Sequence, residues 1–421
     1  MAAARSWRAF KANVRLFGKT PAGVEVEAVR LHNAATGMTA SILALGAAVQ
    51  SLTVPLPQHT SSFGKVLDAD VVLGFDTLDE YLEKDVYMGR VVGPTAGRVA
   101  DASLPIDGAV VELESNDTCG SSHLHGGTAG YSAKVWRIEE VSDASVRLVH
   151  TAEAGAGGYP SSVEASVVYT LTDESELKID YDWLNSGGAT TVLSPTNHTY
   201  FNLSSHHALG NGNGSDDGTE IAAAPMTLEC HTMQLMANRV VETHLDGSGV
   251  PTGSLVDTRE SGALDLRYPR RVTDQIADIA AAQPHWPHGD CHVVDRVARP
   301  GQTAYDAVGT FELAAILAAR DSNVTMTVHT TAPCIQLYFA TLLQAMGGKR
   351  GRQYGEHAAI CFMAQNFTDV SNVVAQHGGY THMPEDEAVV VPTWQVAPGE
   401  RHVQTTAFKF RLGTPAGHGS L

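Results

Sequence analysis

The run Val163-Glu164-Ala165-Ser166-Val167-Val168-Tyr169-Thr170-Leu171, the turn Thr172-Asp173-Glu174-Ser175, and the run Leu177-Lys178-Ile179-Asp180-Tyr181-Asp182-Trp183 decide the fold class. In each run Val163, Ala165, Val167, Tyr169 and Leu171, and then Leu177, Ile179, Tyr181 and Trp183, recur at every second position. A strand points successive side chains to opposite faces, so this period of two describes two half-buried strands joined as a hairpin. Asn185-Ser186-Gly187-Gly188 then turns the chain into Ser194-Pro195-Thr196-Asn197-His198-Thr199-Tyr200-Phe201-Asn202-Leu203. There a side chain able to carry a proton near neutral pH sits among strand-forming aromatics.

The same pattern extends outward. Val24 to Leu31 alternates, and Met38 to Pro55 is strand material broken at Gly46. Arg147 to His150, Ala224 to Leu235, Val324 to His329, Cys334 to Phe339, Ala358 to Phe362 and Thr405 to Leu412 read as further short strands. Leu78 to Leu82 reads as a turn or short helix, and only Asp274–Ala282 and Ala314–Arg320 carry other helical signals. Many short strands separated by turn residues predict an all-β protein, a large antiparallel β-sandwich. The expected organisation is a lead-in over residues 1–23, one domain over 24–412 and a tail over 413–421.

Composition narrows the function. The chain has 421 residues, with 46 acidic and 28 basic side chains and a formal net charge of −18. That balance argues against a nucleic-acid or anionic-membrane partner. No apolar run reaches membrane-spanning length. Five scattered cysteines without a Cys-x-x-Cys spacing predict reduced thiols and a cytoplasmic protein. Met1 to Phe17 is basic and free of acidic residues, and reads as a lead-in or a transit segment rather than a secretory signal. Without such a signal the Asn-x-Ser/Thr triplets carry no glycosylation meaning. The final Gly419-Ser420-Leu421 is similar to a Ser-Lys-Leu peroxisomal address with serine for the basic residue.

Four local patterns bear on chemistry. Gly89, Gly93 and Gly97 are spaced wrongly for a dinucleotide fingerprint, and Gly347-Gly348-Lys349-Arg350-Gly351-Arg352 lacks the Ser/Thr of a phosphate loop and reads as a solvated basic turn. His123 and His125, two apart, would share a face on a strand, as a metal pair does. No third ligand follows at a sensible spacing, so no metal is expected. The paired Gly126-Gly127 marks a tight turn or a backbone lying close to a ligand.

Taken in order, the residues resemble the aldose 1-epimerase (galactose mutarotase) family over roughly residues 24 to 412. The likeness is carried by Gly46-Ala47, Leu73-Gly74-Phe75-Asp76 with Tyr81, Gly97-Arg98-Val99, and Leu124-His125-Gly126-Gly127 with Gly130 and Trp136. Asn197-His198-Thr199-Tyr200-Phe201-Asn202-Leu203 is the most specific segment. Pro251-Thr252-Gly253, Asp265-Leu266-Arg267, Gln336-Leu337-Tyr338 and Gln365-Asn366-Phe367-Thr368-Asp369 complete the series.

The resemblance implies a galactose mutarotase-like supersandwich with an open sugar cleft, a free hexose as partner, no cofactor, and a monomer or weak dimer. It implies interconversion of α and β anomers by acid/base ring opening. His198 would protonate the ring oxygen, with His125 beside it, and Arg98, Asp290, Gln336 and Asn197 would bind the sugar. A histidine suits an acid that must work in both directions near neutral pH, and guanidinium and amide groups suit hydroxyl recognition.

Three positions depart from the family pattern. Cys291 stands between Asp290 and His292, where the family has an aspartate directly before a histidine. Gly97 replaces an asparagine. Cys361-Phe362-Met363-Ala364-Gln365 puts Met363 where the family carries its glutamate base, and a thioether cannot accept the anomeric proton. Loss of a positioned base costs on the order of 10²–10⁴ in rate. Either another group supplies the base, such as His125 or a carboxylate of Pro384-Glu385-Asp386-Glu387, or the chain binds sugar without useful turnover. A sugar-phosphate epimerase would draw on Lys349, Arg350 and Arg352. Trp136 and Trp183 are expected in the core.

Overall fold

The computed structural model describes residues 13–60, 66–84, 86–204, 225–283, 288–296, 310–382 and 394–413. The Pro384–Glu387 segment, residues 1–12 and the C-terminal tripeptide lie outside these.

The hairpin of residues 163–185 lies inside the largest sheet. Val163–Leu171 pairs with Glu176–Asn185 from Val163↔Asn185 to Leu171↔Leu177. Seven more strands extend it to nine, through Ser145–Ala152 and Arg137–Val141 on one side. On the other side come Arg401–Leu412, Val324–Thr330, Glu312–Ala319, His231–Leu235 and Arg270–Arg271. Every pairing in it is antiparallel.

A second sheet of seven strands runs in the order Tyr200–Phe201, Ile360–Gln365, Cys334–Tyr338, Asp290–Val293, Arg239–Thr243, Pro251–Asp257 and Thr381–His382. Only its last pair is parallel. A five-stranded N-terminal meander, from Val14–Lys19 to Val66–Asp70, completes the large sheets.

Alternation decides what each face does. Ile335, Leu337 and Phe362 of the seven-stranded sheet share one buried cluster with Phe201, Val167, Tyr169, Ile179, Val328 and Phe408. Each such side chain, fully withdrawn from water, contributes roughly 1.5–3 kcal/mol. The residues between them face the other way: Cys291 pairs with Gln336, and Gln336 with Met363. This transverse row forms the floor of a cleft. Trp136 and Trp183 are buried in the core, as expected.

The segment Ala314–Arg320 is not helical: Glu312–Ala319 is a strand between two others. Its alanines favour a helix intrinsically, but pairing with a strand on each side overrides that propensity. Asp274–Ala282 does fall in a helix, Val272–Ala282, and Val370–His377 is a helix the sequence did not reveal. Lys349 is not in a solvated turn. It is 2% exposed, and its Nζ donates to Asp70 Oδ2 at 2.8 Å and to the Gln50 carbonyl at 2.7 Å. The long lysine stem reaches inward and takes its charge to a buried partner.

Candidate active site

The segment around His198 is not one strand but two short ones that join different sheets. Thr196–Asn197 pairs with Val91–Val92, and Tyr200–Phe201 pairs with Ile360 and Cys361. His198 sits at the junction, with its backbone fixed on both sides. Its N–H donates to the Arg90 carbonyl at 2.8 Å, and its carbonyl accepts from Gly89 N–H at 3.0 Å. Gly89 has φ +70°, and a Cβ there would lie 2.2 Å from the Val49 carbonyl oxygen. Only glycine fits that position.

The ring is held as firmly. Tyr200 stacks on it at 4.9 Å and Tyr87 at 5.8 Å, while Tyr338 meets it edge-on at 6.0 Å. Behind it, the Cys361 sulfur lies 3.5 Å from Nδ1.

His125 arrives from a distant part of the chain. It follows the two-residue strand His123–Leu124, takes φ +54°, and is locked to Gly97 by reciprocal bonds. Its N–H donates to the Gly97 carbonyl at 3.1 Å, and Gly97 N–H donates to its Nδ1 at 3.2 Å. Gly126 beside it would place a Cβ 2.0 Å from the Gly93 carbonyl, which accounts for the glycine pair. The His125 and His198 rings are 5.6 Å apart at 83°.

The turn at His125 separates the two histidines of the sequence pair. His123 is buried elsewhere, donating from Nδ1 to the Glu114 carbonyl at 2.6 Å and accepting from the Tyr159 hydroxyl at Nε2, 2.9 Å. Among the described residues no three His, Cys, Asp or Glu side chains cluster to hold a metal.

Both histidines line a cavity of about 250 Å³ with Arg98, Gln336, Cys291 and Met363. Arg98 donates from Nε to Asp117 Oδ2 at 2.6 Å, and from Nη2 to His288 Nδ1 at 3.1 Å. His288 in turn donates from Nε2 to the Gly247 carbonyl at 3.1 Å. The guanidinium is thereby fixed at the wall, with Nη1 making no hydrogen bond among the described residues. Gln336 donates to the His288 carbonyl at 3.3 Å.

Two residues expected at the sugar are not in this cavity. Asp290 belongs to the opposite face of its strand, since its neighbour Cys291 is the one in register with Gln336. A one-residue offset on a strand exchanges faces. Asp290 lines an adjoining cavity with Val240, Val256 and Leu264. Asn197 is committed to the fold, donating to the Gly89 carbonyl at 2.9 Å and to the Tyr169 hydroxyl at 3.3 Å. Its oxygen accepts from the Thr199 hydroxyl. It therefore holds the His198 junction from behind.

The sequence reading had no means of finding Tyr87, Asp117 or His288. Each lies far in the chain from the residue it supports, and nothing in its local pattern marks it. Cys291 had a signal: it interrupts an Asp-His pair in the family pattern.

Burial governs the electrostatics. It pushes the His198 pKa down to about 4 and holds His125 well below the ordinary histidine value, helped by the neighbouring His198 and Arg98. His288 also falls to about 4, through burial and the Arg98 charge. Burial drives the Cys361 thiol up, so it stays protonated. No Asp or Glu is among the described residues lining the cavity. At neutral pH the site therefore offers neutral imidazoles, one guanidinium and an amide, with Met363 on the floor.

The aldose 1-epimerase family model matches residues 27–379. Galactose mutarotase from Bos taurus is 28% identical over 399 residues, covering 94% of this chain and 98% of the relative. Aldose 1-epimerase from Haemophilus influenzae is 26% identical over 397 residues, covering 93% and 97%. The crystal structure of galactose 1-epimerase from Lactobacillus acidophilus superposes with a TM-score of 0.71 at 20% identity, covering 96% of this chain and 99% of that one. With the antiparallel supersandwich and the paired histidines in its cleft, the match over most of the chain places this protein in the aldose 1-epimerase family.

Proposed function

We propose that the protein is a mutarotase acting on a free hexose such as galactose or glucose, interconverting its α and β anomers by acid/base ring opening. The observation that carries this reading is the approach of His198 and His125 to 5.6 Å in a cavity that also presents Arg98 and Gln336. Ring opening needs a proton removed from the anomeric hydroxyl and one delivered to the ring oxygen, and imidazoles are suited to both near neutral pH. Arg98 and Gln336 supply donors for the remaining hydroxyls. The family membership and the curated relatives named galactose mutarotase support the same reaction.

A second reading rests on Met363. It lines the cavity, and the resemblance puts it where the family carries its glutamate base, so the same cleft could serve as a sugar-binding site without turnover. Polarimetry on freshly dissolved α-D-glucose and α-D-galactose separates the two. A mutarotase speeds the optical rotation change above the spontaneous rate, and His198→Ala abolishes that gain. A wild type at the spontaneous rate, with Met363→Glu well above it, would establish the binder. Absence of sugar binding at millimolar concentration removes both.

A further inference from the structure

We propose that a single residue, His198, moves the proton in both directions between the two oxygens of the anomeric carbon, while His125 serves as a fixed hydrogen-bond donor, so that the site needs no carboxylate. This rests on the mutarotase reading above.

The two rings are held in opposite tautomers. Gly97 N–H donates to His125 Nδ1, so the neutral His125 ring carries its proton on Nε2. His198 is tied the other way. Its Nδ1 lies 3.5 Å from the Cys361 sulfur, and the proton we place on that nitrogen points at the sulfur. We therefore assign the His198 lone pair to Nε2. Neither Nε2 has a hydrogen bond among the described residues, and both rings line the cavity. One wall thus presents an acceptor beside a donor, on rings 5.6 Å apart.

The surroundings keep this pair neutral. The groups facing His198 are Tyr87, Tyr200, Tyr338, His125 and Cys361. None is a carboxylate, and burial holds the Tyr200, Tyr338 and Cys361 protons in place. Burial outweighs what favours the imidazolium among the described residues, so His198 stays a base at neutral pH. A neutral imidazole becomes an effective acid only after it has taken up a proton, and the reaction supplies one.

The bookkeeping closes on the sugar itself. His198 Nε2 takes the proton from the anomeric O1, forming N–H and breaking O–H. The O1 electron pair forms the C1=O1 double bond as C1–O5 breaks, and the released pair collects on O5. His125 Nε2–H donates a hydrogen bond to that developing charge, as a neutral imidazole can do. The His198 imidazolium then gives its proton to O5. The aldehyde turns about C1–C2, and the same steps in reverse close the other anomer. No proton, electron or group is left over.

The test joins spectra to kinetics. ¹⁵N-histidine NMR of the wild-type chain, assigned with His125→Gln and His198→Gln, should show the lone pair on Nε2 of His198 and on Nδ1 of His125. The polarimetric rate should be level from pH 6 to 8 and halve near pH 4. His125→Gln keeps an N–H donor and should stay within about tenfold of wild type, whereas His125→Leu should lose on the order of 10²–10³. A fast wild type whose His198 is protonated on Nε2 overturns the shuttle and leaves the mutarotase reading standing. His125→Gln as slow as His125→Leu, with both folded by near-ultraviolet circular dichroism, does the same. A wild type no faster than the uncatalysed reaction removes the reading and the shuttle together. The spectra come from the wild-type chain, so they decide the tautomers even if a variant misfolds.

Discussion

Replacing His198 by glutamine should make the protein less sensitive to acid, by an amount that the burial of the ring sets. His198 is 4% exposed, and its pKa in the folded chain is about 4 against an ordinary value of 6.5. Between those values the unfolded chain binds a proton that the folded chain refuses, so stability rises with pH across the window. The contribution is complete above about pH 6.5 and is lost as the pH falls towards 4. At pH 5 the ring is almost wholly protonated in the unfolded chain and about one-tenth protonated in the folded one, which corresponds to about 2 kcal/mol. Other buried histidines, including His231 and His292, follow the same sign, so the wild type should lose more than this one group's share. Urea unfolding at pH 7 and pH 5 measures the loss for wild type and for His198→Gln. The variant should lose about 2 kcal/mol less than wild type between the two pH values. An equal loss in both chains would mean that His198 already carries its proton in the folded state, and the neutral-imidazole description of the site would fall.

Lys349→Met should destabilise the fold by about 3–5 kcal/mol, because it removes the buried cation that pairs with the Asp70 carboxylate. Calorimetry should show the midpoint down by roughly 4 to 6 °C. Adding Asp70→Asn to that variant should recover most of the loss. Gly89→Ala should lower thermal stability and sugar affinity together, since its Cβ collides with the Val49 carbonyl and shifts the backbone that grips His198 and Asn197; thermal shift and calorimetric titration check it. Arg98→Lys should weaken sugar binding by about 1–2 kcal/mol in a titration, because an ammonium cannot keep the Asp117 and His288 bonds while pointing a further donor into the cavity.

What could be read in the chain, and what could not, follows from the range of the interactions. The 163–185 hairpin was legible because each strand has one face in the core, and the register then follows from period two and the four-residue turn. Glu312–Ala319 was misread because alanine is small enough for either structure, and only the neighbouring strands decide. Val370–His377 is two turns long, and Asp369 enters it from a left-handed conformation with no side-chain cap bond, so no start signal was available. Lys349 looked solvated because its partner Asp70 is almost three hundred residues away. His198 and His125 could be named from a family pattern, but their approach depends on two separate chain turns. Asp290 shows how narrow such a reading is: the motif named it, and one step of strand register put Cys291 in the cavity instead.

On the reading proposed above, the methionine at position 363 changes more than a base. A carboxylate on the cleft floor would oppose the burial that keeps His198 neutral, and would favour its imidazolium. With Met363 in the row beside Gln336 no charge is added there, and burial keeps the ring neutral. On the shuttle proposed above, the methionine therefore bears on the acid and the base at once, through one charge. Met363→Glu should accordingly do two things together. It should raise the His198 pKa, followed by NMR, and it should turn a pH–rate profile that is level above pH 6 into a bell, because activity would then need an ionised Glu and a protonated His. A faster variant with an unmoved His198 titration would separate the two effects and show that the floor residue and the imidazole do not sense each other.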